Sequence, residues 1–251
     1  MIKDKLAKPV SGKHGENLRQ LLIQNRSRHN QEPPKHQQLA LQHLMVWQTD
    51  RLRNTHQDLF LSDRYQAAAH YFVDELYLSP TAIQRDRDLE RVFPTLVKLL
   101  PDDTLETVAN AIELNILSAE LDQQLANFLF IDHPEKAICA SLITEESYVT
   151  AYLKANATEL RHRQLNLIEQ IGHDLDHLVR FPFISLTLKL IRKPAHKKGL
   201  GNLHDFLERG FNTFKALGGA EEFMEIIVQR EGQVLDNLNQ GKSNPFDIKI
   251  D

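Results

Sequence analysis

Between Pro101 and about Phe130 the sequence predicts one helix with two apolar stripes, an element that few folds can accommodate. Leu105, Ala109, Ile112 and Ile116 recur at helical spacing on one side, and Leu114, Leu121, Leu125 and Phe128 on another. A helix that is apolar on two sides is largely buried and must be surrounded. Asp102 and Asp103 in its first turn complement the helix dipole. Glu113 and Glu120 are seven residues apart and fall together in the gap between the stripes, so both are expected to face the interior.

The flanking sequence supplies the surrounding elements, and all of them read as helices. A weakly apolar helix is predicted from Glu16 to about His29. A long one follows Pro33-Pro34 and runs to about Leu61, with Leu41, Leu44, Met45, Leu52 and Leu59 in register and Trp47 as a packing anchor. Tyr65, Ala68, Ala69, Phe72 and Leu76 form the core stripe of a helix capped by Ser62-Asp63. Pro94 predicts a kink or stop near Phe93 in the next helix. Thr144-Glu145-Glu146 opens the longest predicted helix, to about Arg180. The apolar run ISLTLKLIRK forms a shorter helix whose apolar residues are expected in the core. Further helices span Asn202 to Leu217, ended by Gly218-Gly219, and Ala220 to about Asn239. Gly210, on the apolar side of its helix, predicts close approach of a neighbour. No strand, hairpin or repeat pattern is present in the sequence. The expected fold is all-α, a compact bundle of about eight to ten helices without a β-sheet. Residues 1–15 read as a flexible arm, 16–240 as a single helical domain and 241–251 as a tail.

Composition narrows the function classes. A chain of 251 residues with 41% hydrophobic and 25% charged residues can bury a real core. Its formal charge of −4 gives no global attraction to nucleic acid or membrane. The single Cys139 excludes an internal disulfide framework, and its neighbours Ile138 and Ala140 indicate an inert thiol. The N-terminal residues lack the apolar core of a signal peptide, and no run reaches the ~20 apolar residues needed to span a bilayer. A cytoplasmic location is expected.

Several charged residues stand out. Glu75 lies at the edge of an apolar stripe, where a carboxylate needs water or a cationic partner. Residues 85–91 read RDRDLER, a neutral run that on a helix sets Arg85 beside Asp88, Asp86 beside Glu90 and Asp88 beside Arg91; it suits an interlocked ion-pair seam between helices, with a solvated face as the preferred reading. Arg161 falls within the core stripe of the long helix and is expected to pair with Glu113 or Glu120. Together Glu75, Glu113, Glu120 and Arg161 are candidates for a buried charge network. Lys189, Arg192, Lys193, Lys197 and Lys198 lie within ten residues without an acid. That segment is read as a solvated basic rim or as the surface for an anionic or protein partner.

Catalytic signatures are missing. There is no dinucleotide fingerprint, P-loop, nucleophile elbow or HExxH. His173 and His177, four apart with Asp174 and Asp176 between them, lie on the polar side of their helix and read as solvated. A two-metal bundle takes a Glu from each of two helices and a Glu-x-x-His from each of two more. Glu75, Glu113 and Glu120 could contribute carboxylates, but the pair of Glu-x-x-His elements is missing and Arg161 would neutralise the acids. No metal, cofactor or catalytic residue is therefore assigned. The preferred reading is a non-catalytic helical protein that binds a partner or small ligand. The alternative is an enzyme or carrier with an internal carboxylate site, which would need an open polar cavity around those acids.

The segments FVDELY, RDxDxxR, AIELNILS and LHDFLERGF resemble a group of uncharacterised bacterial proteins named for an FFLEELY motif. The resemblance covers about Leu39 to Phe246. It departs from the motif at Tyr71-Phe72-Val73-Asp74, where the name has FFLE. The resemblance implies domain limits and no activity.

Overall fold

A computed structural model describes residues 4–31, 33–130 and 143–248. Among them the structure is all-α, with eleven α-helices, one π-helical segment and no strand. In chain order these are α1 (Lys13–His29), α2 (Lys35–Thr55), α3 (Gln57–Leu61), α4 (Gln66–His70) and the π segment Tyr71–Tyr77. There follow α5 (Ala82–Leu99), α6 (Asp102–Leu129), α7 (Glu145–Ala155), α8 (Thr158–Val179), α9 (Pro182–Lys197), α10 (Gly201–Ala216) and α11 (Glu221–Asn239). Cys139 and Pro134 lie outside the described residues.

The helices outnumber the expectation because two long ones break. The helix predicted to reach Leu61 divides at His56, whose backbone leaves the helical region at φ −115°, ψ 26°. The helix predicted from Thr144 to Arg180 divides at Asn156, which adopts a left-handed conformation at φ 47°. Its start is as expected, since the Thr144 side chain accepts from the Ser147 N–H in a capping box. The predicted cap at Ser62-Asp63 is displaced, because α4 begins only at Gln66 with Tyr65 preceding it and no side-chain cap. Pro94 does not stop α5, which continues to Leu99. Phe93 beside it is fully buried, and that burial offsets the single N–H the proline removes.

The chain gathers into two compact units, each assembled from three separate stretches. Unit 1 comprises Met1–Gln31, Arg64–Glu113 and Gln170–Glu221, and unit 2 comprises Glu32–Asp63, Leu114–Glu169 and Glu222–Asp251. In unit 2 the core joins Ala40 and Leu44 of α2, Leu125 and Ala126 of α6, Tyr148 and Tyr152 of α7, and Val234, Leu235 and Leu238 of α11. Trp47 stacks on Tyr148 at 4.4 Å, with Phe246 set edge-on at 5.7 Å from each ring. The segment after α11 thus returns to the core through Phe246 and Ile248.

In unit 1 the N-terminal residues expected as a loose arm make specific contacts. Leu6 is buried, and its carbonyl accepts from Arg19 Nη1 at 2.8 Å. Glu16 accepts from the Val10 N–H and from Arg19, and these hydrogen bonds hold its carboxyl down at about 2. The π segment changes the expected core face. The Leu78 N–H donates to Val73 O, five residues back, at 2.9 Å, so a 3.6-residue wheel loses phase here. Tyr71 and Val73 are buried, whereas Leu76, expected in the stripe, is exposed.

Candidate functional site

The RDxDxxR run of α5 joins helices, the seam its charge pattern suits, rather than lying on the preferred solvated face. Arg85 and Asp88 are buried. Asp86 accepts from Asn25 Nδ2 at 2.7 Å and lies 2.7 Å from His29 Nε2, both on α1. Glu90 lies 3.6 Å from Arg26. Arg91 does pair with Asp88, at 3.1 Å. Its guanidinium also donates to Lys198 O and Gly199 O, clasping the α9–α10 connection onto α5. Fixed spacing on one helix therefore positions three others, and the buried pairs specify that arrangement.

α10 is the element against which these parts meet. On one side the π segment supplies Tyr71, whose hydroxyl donates to Phe206 O at 3.2 Å. A Cβ at Gly210 would lie 2.5 Å from that hydroxyl, so only glycine admits Tyr71 here, as the sequence predicted. Burial pushes the Tyr71 hydroxyl well above the usual tyrosine range. Arg85 lies over the Phe206 ring at 4.0 Å, and burial lowers its basicity. Glu75 has the cationic partners its position required, Arg209 at 3.0 Å and Arg85 at 4.0 Å. Glu75 and Arg209 also line a groove of about 370 Å³ with His70, Tyr71 and Asn212.

The remaining acids of the expected network differ in burial. Glu113 is half-buried and Glu120 is exposed, because the gap between the α6 stripes lets water in at Glu120. The buried acid of α6 is Asp122, which lies 3.9 Å from Arg161. Asp122 also accepts from Gln48, whose amide oxygen accepts in turn from the Tyr148 hydroxyl. His173 and His177 are exposed, and the chain's one Glu-x-x-His, Glu159 to His162, is exposed on α8. Asp174 accepts from Thr107, while Asp176 accepts from the Ala220 N–H and Arg180, so neither acid is held for a cation between the two histidines.

The basic segment is helical, and its apolar residues are not in the core as expected. Lys189, Arg192, Lys193, Lys197 and Lys198 are exposed on α9 and at its C-terminus. Leu186 and Leu190 are 59% and 68% exposed. Leu186, Leu190, Lys193 and Lys197 follow one another at four, three and four residues and so share one face. Arg192 lies 3.7 Å from Glu208 of α10. The opposite side of α9 meets α10, where the Leu188 carbonyl accepts from His204 Nε2 at 2.8 Å.

Sequence reasoning missed the triad formed by His196, His204 and Asp205. The segment LHDFLERGF contains two of the three, but nothing in the spacing shows that the end of α9 folds back to bring His196 to them. Among the described residues, no helix is long and apolar enough to cross a membrane. No curated protein and no solved structure matches the chain. A family model does, over residues 25–245, and the chain belongs to that family, described as a domain of unknown function (DUF8198).

Proposed function

We propose that this protein is a non-catalytic docking module that places the outer face of α9 on an anionic lipid surface. The observation that carries this reading is the exposure of Leu186 and Leu190 on the same face as Lys193 and Lys197. Apolar side chains beside lysines, with no acid from Pro182 to Lys198, match the interfacial amphipathic helix. Each basic residue near an acidic bilayer contributes about 1 kcal/mol, and a buried leucine roughly 1.5–3 kcal/mol. A second copy seated face to face would oppose like charges, which disfavours self-association through this surface. The alternative of a catalytic internal carboxylate is disfavoured by the ion pairs of Glu75 and the exposure of Glu120.

The resemblance to the FFLEELY-motif group supports a bacterial origin, and the sequence supports a cytoplasmic one, so the inner leaflet is the surface we assign. Residues 16–240 are read as one folding domain, since neither unit is a continuous segment that could be excised. A single calorimetric unfolding transition is expected. Docking is tested by co-sedimentation with phosphatidylcholine vesicles, with and without phosphatidylglycerol. Binding is expected only to the acidic vesicles and is lost in both Leu190→Ser and Lys193→Glu/Lys197→Glu. If acidic vesicles are not bound, the reading fails. If charge reversal abolishes binding while Leu190→Ser leaves it intact, the face recognises charge alone and an acidic protein becomes the partner.

A further inference from the structure

The end of α9 and the first turn of α10 bring three ligand types together. One ring nitrogen each of His196 and His204 and an Asp205 carboxylate oxygen all lie within 4.8 Å of one another. Asp205 Oδ1 is 2.8 Å from His196 Nε2 and 3.3 Å from His204 Nδ1. The other nitrogen of His204 is already engaged. Nε2 is 2.8 Å from the Leu188 carbonyl, which can only accept, so Nε2 carries the hydrogen. In the neutral ring Nδ1 then presents a lone pair to the Asp205 oxygen.

We propose that His196, His204 and Asp205 form a binding site for a divalent transition-metal ion of the zinc class. Two imidazoles and one carboxylate suit Zn²⁺, Co²⁺ or Ni²⁺ rather than Mg²⁺ or Ca²⁺, which take oxygen ligands. The Nε2–H bond to the Leu188 carbonyl is the outer contact that orients a ligating histidine. The His204 side chain is 2% exposed, whereas that of His196 is 47% exposed. One ligand is thus fixed inside the fold, and the other leaves the site open for entry and for a water ligand. Gly201 holds the His196 ring, since a Cβ there would lie 2.9 Å from Nδ1. The Arg91 clasp on Lys198 O and Gly199 O fixes the connection that carries the two helices past each other. The site is independent of the α9 outer face, and vesicle binding does not bear on it.

The full chain, stripped with a chelator, is titrated with ZnCl₂ by calorimetry and with CoCl₂ by visible absorption. One ion per chain and a four-coordinate cobalt spectrum are expected. His196→Ala, at a half-exposed position, keeps the helical circular dichroism and weakens binding by about ten-fold or more. Gly201→Ala weakens it in the same direction by displacing the His196 ring without removing a ligand. His173→Ala/His177→Ala leaves the affinity of the protein unchanged. The proposal is overturned if the protein takes up no stoichiometric zinc or if His196→Ala binds as tightly as wild type. It is also overturned if the His173/His177 variant is the one that loses the ion.

Discussion

Replacing Glu231 with glutamine is expected to destabilise the protein by roughly 3 kcal/mol at neutral pH, through three contacts inside unit 2. Arg51 Nη1 donates to both carboxylate oxygens at 2.6 Å, and His56 Nε2 lies 2.9 Å from Oε1. The three side chains are 13%, 6% and 14% exposed for Arg51, His56 and Glu231. Burial alone would raise the Glu231 carboxyl, but Arg51 and His56 overcome it and hold the group down at about 2, against an ordinary 4.5. At ~1.36 kcal/mol per tenfold, that lowering corresponds to roughly 3 kcal/mol. Breaking a buried pair by removing one partner costs about 3–5 kcal/mol, a range consistent with it.

The sign of the pH dependence follows from the direction of the shift. The carboxyl is more acidic folded than unfolded, so its stabilisation is fully present above the unfolded value near 4.5. It is lost as pH falls through the folded value of about 2. Urea unfolding followed by circular dichroism, on wild type and Glu231→Gln, reads the difference directly. The gap should be largest at neutral pH and close as acid protonates Glu231 in the wild type. Equal stability of the two proteins at neutral pH would refute the reasoning, as would a gap that stays constant into acid.

Gly210→Ala sets a gain against a clash. Alanine favours a helix over glycine by about 1 kcal/mol, but its Cβ would lie 2.5 Å from the Tyr71 hydroxyl and 2.9 Å from the ring. Overpacking of about 1–3 kcal/mol should prevail, and chemical denaturation should show a less stable variant that Tyr71→Phe partly restores. A Gly210→Ala protein as stable as wild type would contradict that close approach. Leu6→Ala tests the docking of the N-terminal residues. At 1% exposure it should lose about 2–5 kcal/mol in the same assay, and an unchanged midpoint would mean that the segment is not held.

The sequence by itself determined the all-α class, the approximate start of most helices and the chemistry available on each. Periodicity reports which side of a helix is apolar, and that information is local. The Thr144 cap, the Gly210 approach, the Arg91–Asp88 pair and the need of Glu75 for a cation were all legible for that reason. Where backbone geometry departs from 3.6 residues per turn, the same reading fails. The π segment turned Leu76 out to solvent and buried Tyr71 and Val73, and His56 and Asn156 broke helices whose side-chain pattern ran on uninterrupted. Charge partners were less legible still. Arg161 has Asp122 at 3.9 Å, an acid the wheel did not single out, and Leu186 and Leu190 of α9 are exposed. The His196–His204–Asp205 triad exists only because the α9–α10 connection reverses the chain under the clasp of Arg91. A wheel gives the direction of a side chain about its own helix. Which group stands opposite it depends on the placement of a second helix, and long-range contacts alone decide that placement.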